Sequence, residues 1–307
     1  MAILIQILLL ALGFTMLIKG ADWFVDGASG IATKFGIPQL VIGLTIVAMG
    51  TSAPEAAVSI SAAISGNADI TIGNIVGSNI LNIFIILGIS AVITTLAVAS
   101  STIKYETPFM ILVTILLLVL GLDKTIGLID GIILIIAFIA YLTYLFIMAK
   151  NNKEEQPEAK QMAIWKAILL TIIGLALIIL GSNVTVDAAT AIAKAFGVSE
   201  RFIGLTIVAL GTSLPELFTS VSAARKHNAD IAIGNIVGSN IFNILFVVGI
   251  SSIIIPVPFA SNFIFDTIVA IIAAALLLIC CLKTKSLKRP AGILMLICYA
   301  AYFIMIL

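Results

Sequence analysis

Two glutamates stand where glutamates are costly. Glu55 closes the stretch GTSAPE (50–55) and Glu216 closes GTSLPE (211–216), each deep inside an apolar segment. A carboxylate at mid-bilayer costs roughly 3 kcal/mol on insertion scales, so its default role there is functional. Two such carboxylates at close range repel, and one takes a proton unless a cation bridges them. Together they balance one divalent ion or two monovalent ions. The competing reading is a protonated glutamate hydrogen-bonded inside a helix bundle.

Pro54 and Pro215 precede these glutamates. Each lacks a backbone donor and clashes with the carbonyl four residues earlier, Gly50 or Gly211. Carbonyls left unpaired in hydrocarbon cost several kcal/mol each by order of magnitude and need partners. Thr51, Ser52, Thr212 and Ser213 are at hand to supply some. Bound cations would supply the rest, and the freed carbonyls of Ala48 and Ala209 would be ligands for hard ions. A purely structural kink is the alternative.

A second repeated stretch, GNIVGSNILNI against GNIVGSNIFNI, adds Ser78, Asn82, Ser239 and Asn243. Its glycines, Gly73 and Gly77 and then Gly234 and Gly238, form small faces that let helices approach closely. Asn74, Asn79, Asn235 and Asn240 serve either as ligands or as bonds across helices. The oxygens on offer are carboxylate, amide, hydroxyl and backbone carbonyl, with no thiol or imidazole in reach. That set selects Na⁺, Ca²⁺ or Mg²⁺ over zinc or copper.

The elements that must hold these groups are membrane helices. Of 307 residues, 62% are hydrophobic and 10% charged, against about half and about a quarter in soluble domains. Mean hydropathy is +1.27. No long basic run or aromatic-basic interleaving argues for nucleic-acid binding. Cys280, Cys281 and Cys298 read as packing residues and His227 as solvated. The first apolar stretch lacks the basic flank of a signal peptide and reads as a genuine span.

Ten segments are predicted, near 2–20, 37–64, 70–97, 106–121, 126–149, 163–183, 200–224, 231–257, 263–282 and 290–307. The polar stretch KNNKEEQPEAKQ (150–161) divides them five and five. The halves are copies offset by 161 residues: between 42–82 and 203–243, 30 of 41 positions are identical. Five crossings per copy put the second copy in from the opposite side of the membrane. The expected fold is all-α and polytopic, ten transmembrane helices as two inverted five-helix repeats. Residues 1–149 form the first repeat, 150–162 a cytoplasmic linker and 163–307 the second. Of the 16 Lys and Arg, 13 fall on odd-numbered connections, which places those connections in the cytoplasm and both termini outside. Asp22, Asp26 and Asp187 read as solvated helix ends of spans one and six.

Paired GTS-PE and GN--GSN--N motifs in inverted halves resemble the repeats of the cation/Ca²⁺ exchanger superfamily, and most nearly its prokaryotic sodium/calcium exchangers. The resemblance spans nearly the whole chain. It implies a central calcium site at Glu55 and Glu216 with oxygens from Thr51 and Thr212. Flanking sodium sites would use Ala48, Ser78, Ala209 and Ser239, with Asn82 and Asn243 at the centre. Some members, potassium-dependent ones included, carry Asp where this chain has Asn243, which argues against potassium dependence here. The acid and histidine signatures of the proton-coupled branch are missing, which favours sodium. Large regulatory calcium-binding domains have no room in the short linker.

The expected activity is electrogenic exchange of Na⁺ for Ca²⁺ by alternating access in the plasma membrane. The ions are substrates, with no organic cofactor. The lipid bilayer is the partner and no obligate protein partner is implied, consistent with a monomer. The first and sixth segments would slide against a core of motif helices. Rival readings are a proton/calcium exchanger, a cation channel with a glutamate ring, and an intramembrane enzyme using Ser52 or Ser213, which lack a neighbouring base.

Overall fold

The computed structural model describes residues 2–151, 162–197 and 209–306. The chain opens with α1 (Ala2–Phe35), followed by α2 (Gln39–Thr51), α3 (Ala53–Ile64) and α4 (Ile70–Ile93). Strand β1 (Leu96–Ala97), α5 (Thr102–Asp123), β2 (Thr125–Ile126) and α6 (Leu128–Asn151) complete the first half. The second half runs α7 (Ile164–Ala195), α8 (Ala209–Thr212), α9 (Leu214–Arg225) and α10 (Ala229–Ile254). It continues through β3 (Val257–Pro258), α11 (Asn262–Leu282), β4 (Ser286–Leu287) and α12 (Arg289–Ile306).

Among the described residues, eight helices are long and apolar enough to cross a membrane, and the bent pair α2–α3 makes a ninth. The seventh predicted segment, 200–224, begins outside the described residues; its described part is α8 and α9. The protein is thus a polytopic, all-α membrane protein whose strands are two-residue ties.

Those ties show how the halves relate. β1 pairs with β4, and β2 pairs with β3, both antiparallel. The 161-residue offset converts β1 into β3 and β2 into β4, so it exchanges the two sheets. β1 precedes α5 and β2 follows it, which sets the sheets at opposite ends of a 22-residue helix about 33 Å long. Equivalent strands lie at opposite ends of the molecule, and the repeats are inverted.

The expectation of a first span ending near residue 20 is corrected. α1 continues to Phe35, since nothing between Lys19 and Lys34 breaks a helix, and it stops where Gly36 takes φ +63°. There the Ile37 N–H bonds the Ala32 carbonyl at 2.9 Å, a left-handed glycine stop followed by Pro38. α7 ends alike at Gly197, φ +76°. Asp22, Asp26 and Asp187 therefore lie well inside these helices rather than at their ends. At 34 and 32 residues the two helices are about 50 Å long, well beyond the roughly 30 Å hydrocarbon core.

α1 and α7 pack along each other. Gly13, Gly20 and Gly27 recur every seven residues on α1, and Gly174 and Gly181 do so on α7. A Cβ at Gly20 would lie 2.9 Å from the Gly174 carbonyl oxygen, and one at Gly174 would lie 2.5 Å from the Phe24 nitrogen. Only glycine permits this backbone approach. The motif helices α4 and α10 occupy the interior, about four-fifths of their apolar windows buried, whereas α1 and α12 are mostly exposed. Exposed Leu, Ile and Phe on these outer helices form the lipid-facing surface.

Candidate functional site

The breaks that the prolines were expected to cause are present. α2 stops at Thr51, Ser52 leaves helical geometry (φ −82°, ψ 6°), and α3 restarts with Pro54 in its first turn. Proline is at ease there because that turn needs no donor. α2 and α3 meet at 49°. Glu55 and Glu216 consequently fall in the first turns of α3 and α9, where the helix dipole favours negative charge.

The fate of the carbonyls differs from expectation. Ala48 is not freed: its oxygen accepts the Ser52 N–H at 3.0 Å and the Ser239 hydroxyl at 3.3 Å. The proline acts on the carbonyl four residues before it, and at Gly211 that oxygen accepts the Ser182 hydroxyl of α7 at 2.7 Å. Ala209 opens α8, and the turn before it lies outside the described residues.

The two carboxylates are brought together by an exchange of serine bonds. Ser52 Oγ donates to Glu216 Oε1 at 2.8 Å, and Ser213 Oγ donates to Glu55 Oε1 at 3.4 Å. Each serine thus holds the glutamate of the other repeat. Thr212 stands beside Glu55 and Thr51 beside Glu216. Thr51 also donates to Asn235 Oδ1 at 2.9 Å, and Ser213 reaches Ser78 Oγ at 3.4 Å. Both glutamates are fully buried, at 1% and 0% exposure, so water cannot neutralise them.

The asparagines knit the halves. Asn79 Nδ2 donates to the Asn240 carbonyl and Asn240 Nδ2 to the Asn79 carbonyl, both at 3.1 Å. Asn82 Nδ2 donates to Asn240 Oδ1 at 2.9 Å, and Asn243 Nδ2 to Asn79 Oδ1 at 3.2 Å. Asn79 and Asn240 therefore bond across helices. Asn82 and Asn243 each open a π-helical turn, a local widening frequent at functional sites. With their amide nitrogens committed, their oxygens are left over. Glu55 Oε2, Glu216 Oε2, Asn82 Oδ1 and Asn243 Oδ1 are buried without a hydrogen-bond partner among the described residues. Four acceptors in two repeat-related pairs, two of them carboxylate oxygens, are the kind of oxygen set that a hard cation takes.

Sequence reasoning missed the next layer. Asn74 Nδ2 donates to Ser59 Oγ and Asn235 Nδ2 to Ser220 Oγ, each at 2.9 Å, and each also reaches a glutamate carbonyl at 3.4 Å. Ser59 and Ser220 sit four residues after the glutamates in both halves, the one signal available beforehand. The close approach expected of the motif glycines is seen at Gly234, which faces Gly43, and at Gly238, which faces Leu44. The positions that the repeat would set against Gly73 and Gly77 lie outside the described residues.

The surroundings of the site are asymmetric. A cavity of about 580 Å³ runs between α3 and α7 against Pro54, Ser182, Asn183, Asp187 and Thr212. At the equivalent face of the other half, α1 is tied to α9. Ser222 Oγ donates to Asp22 Oδ1 at 2.6 Å, and Lys226 Nζ lies 2.6 Å from Asp26 Oδ1 and 2.7 Å from the Asp22 carbonyl. The Phe14 and Phe218 rings meet there at 6.1 Å.

Known proteins resemble the chain along nearly its whole length. The family model for "Sodium/calcium exchanger protein" matches residues 5–147 and 166–307. The sodium/calcium exchanger MaX1 of Methanosarcina acetivorans is 32% identical over 346 residues, covering 99% of both chains. The inner membrane protein YrbG of Escherichia coli is 34% identical over 307 residues, 94% of this chain and 92% of the relative. Among solved structures, the sodium-calcium exchanger NCX_Mj soaked with zero Na⁺ and Ca²⁺ superimposes with a TM-score of 0.88. It shares 34% identity and covers 99% of this chain and all of its own.

Proposed function

Because this chain belongs to the sodium/calcium exchanger family, we infer that it is an antiporter carrying Ca²⁺ one way and Na⁺ the other through one buried site. The observation that carries this reading is the set of four unpartnered oxygens on Glu55, Glu216, Asn82 and Asn243. Glu55 and Glu216, with Thr51 and Thr212, hold Ca²⁺. The same carboxylates, with oxygens of Ala48, Ser78, Ala209 and Ser239, hold Na⁺. Asn82 and Asn243 complete the centre, and Ser52 and Ser213 fix the direction of the carboxylates.

Exchange rather than leak follows from the charges. Two buried carboxylates facing each other without a cation are heavily penalised, so the site crosses only when loaded. At three Na⁺ per Ca²⁺ one net charge moves per cycle, and the membrane potential contributes about 2.3 kcal/mol per 100 mV. The reading places the chain in the plasma membrane as a monomer, residues 1–149 and 163–307 as the repeats. Linker 150–162 is cytoplasmic and both termini are outside, from the distribution of Lys and Arg.

On that orientation the cavity beside Asp187 is the outer access route, and the tie from Asp22 and Asp26 to Ser222 and Lys226 closes the inner one. α1 and α7 slide as a pair across the motif helices, alternately opening one route and closing the other. Lys226→Gln is expected to loosen the inner tie. The pair is solvent-exposed and worth little, so inner accessibility should rise by less than about threefold. Faster hydrogen–deuterium exchange over residues 18–26 is the readout.

The reading is tested in proteoliposomes. An outward-directed Na⁺ gradient should drive ⁴⁵Ca²⁺ uptake, and a pH gradient alone should not. Uptake driven only by protons would replace it with proton/calcium exchange.

A further inference from the structure

A second polar centre lies away from the ion site, between α5 and α6. A cavity of about 560 Å³ is lined by Lys104, Tyr105, Glu106, Phe109, Tyr141 and Tyr144. Glu106 is buried at 1% exposure; the Tyr144 hydroxyl donates to its Oε1, while Oε2 has no hydrogen-bond partner among the described residues. The hydroxyl of Tyr141, also buried, has none either. An unsatisfied carboxylate oxygen inside a spanning helix is costly, so it points to a ligand that donates to it.

The walls identify the donor. Phe109 and Tyr141 stack at 5.5 Å, and Tyr105 and Tyr144 meet at 6.4 Å. Aromatic faces around a carboxylate attract an organic ammonium. A bare metal ion finds too few oxygens here and far too much space. Glu106 lies one turn into α5, about 6 Å from its start, near the boundary between the hydrocarbon core and the headgroups. Lys104 is exposed at the rim, placed to meet a phosphate.

The repeat separates this cluster from the transport machinery. Glu55, Asn82 and the residues around them recur in the second half, as exchange across an inverted fold demands. The positions equivalent to Lys104, Tyr105, Glu106, Phe109 and Tyr144 are Phe265, Asp266, Thr267, Ala270 and Met305. Only Tyr141 finds its like, in Tyr302.

We propose that this pocket binds a phospholipid whose headgroup ends in a primary ammonium. The ammonium donates to Glu106 Oε2 between the aromatic faces, and the phosphate lies against Lys104. A trimethylated headgroup has no N–H for Oε2, so the site discriminates against choline lipids.

Native mass spectrometry of the full chain, taken from bilayers with equal phosphatidylethanolamine and phosphatidylcholine, tests this. The protein should retain phosphatidylethanolamine over phosphatidylcholine by about tenfold, one charge-assisted hydrogen bond. Glu106→Gln should remove most of that preference, and Lys104→Gln should lower retention of both lipids alike. Should Glu106→Gln fail to fold, Tyr105→Leu at an exposed position must lower retention of phosphatidylethanolamine. Equal retention of both lipids by the unaltered protein, or an unchanged ratio in Glu106→Gln, would overturn the proposal. So would displacement of the lipid by equimolar soluble phosphoethanolamine, since the occupant would then be a free ammonium phosphate ester.

Discussion

Glu55→Gln or Glu216→Gln should lower Ca²⁺ transport at least about 100-fold while leaving the protein at least as heat-stable as before. Glutamine keeps the shape and an oxygen for the Ser213 or Ser52 hydroxyl, so the serine exchange survives. What disappears is one of two buried charges that balance a divalent cation. Removing one partner of a buried ionic contact costs roughly 3–5 kcal/mol, about two to three and a half decades in affinity. The ion-free protein gains, because two facing carboxylates become one. Flux and thermal melting measured side by side separate the readings. A purely structural glutamate would lose stability and transport together, whereas retained flux would remove these residues from the site.

Gly174→Leu should nearly abolish transport by a different route. Its first side-chain carbon would sit 2.5 Å from the Phe24 nitrogen and 2.8 Å from the Gly20 carbonyl oxygen, both backbone atoms of α1. No rotamer relieves that contact, so α1 and α7 must part along their seam. Overpacking of this kind costs about 1–3 kcal/mol or more. The ion ligands lie on other helices, α2, α3, α4, α8, α9 and α10, so equilibrium Ca²⁺ binding should persist while turnover stops. Wild-type flux in this variant would show that α1 and α7 need not move as a packed pair.

Much of this was legible in the sequence, because the repeat prints every important position twice. Identity over 42–82 and 203–243 exposes the repeat, the paired glutamates and the asparagines, and the odd number of predicted spans per copy implies the inversion. What stayed hidden depends on three-dimensional closure. Hydropathy falls at Lys19 and Asp22, so α1 looks finished near residue 20, although nothing in its backbone chemistry ends it before Gly36. The bonds from Ser52 to Glu216 and from Ser213 to Glu55 join residues about 160 positions apart, and no local pattern announces a cross-repeat partner. The π-helical turns at Asn82 and Asn243 leave no mark in residue type. The Ala48 carbonyl is not freed, and the reason is local. The helix bonds it to Ser52 before the proline can act. The seven-residue spacing of glycines on α1 and α7 was in plain sight, and its meaning needed the two helices side by side.

The central claim is that one buried site holds either Ca²⁺ or Na⁺. Equilibrium ⁴⁵Ca²⁺ binding to the purified protein, titrated with Na⁺, tests it most directly. One Ca²⁺ per chain should bind, Na⁺ should displace it competitively and completely, and the double variant of Glu55→Gln with Glu216→Gln should bind none. Ca²⁺ binding that is indifferent to Na⁺, or that survives in the double variant, would contradict it.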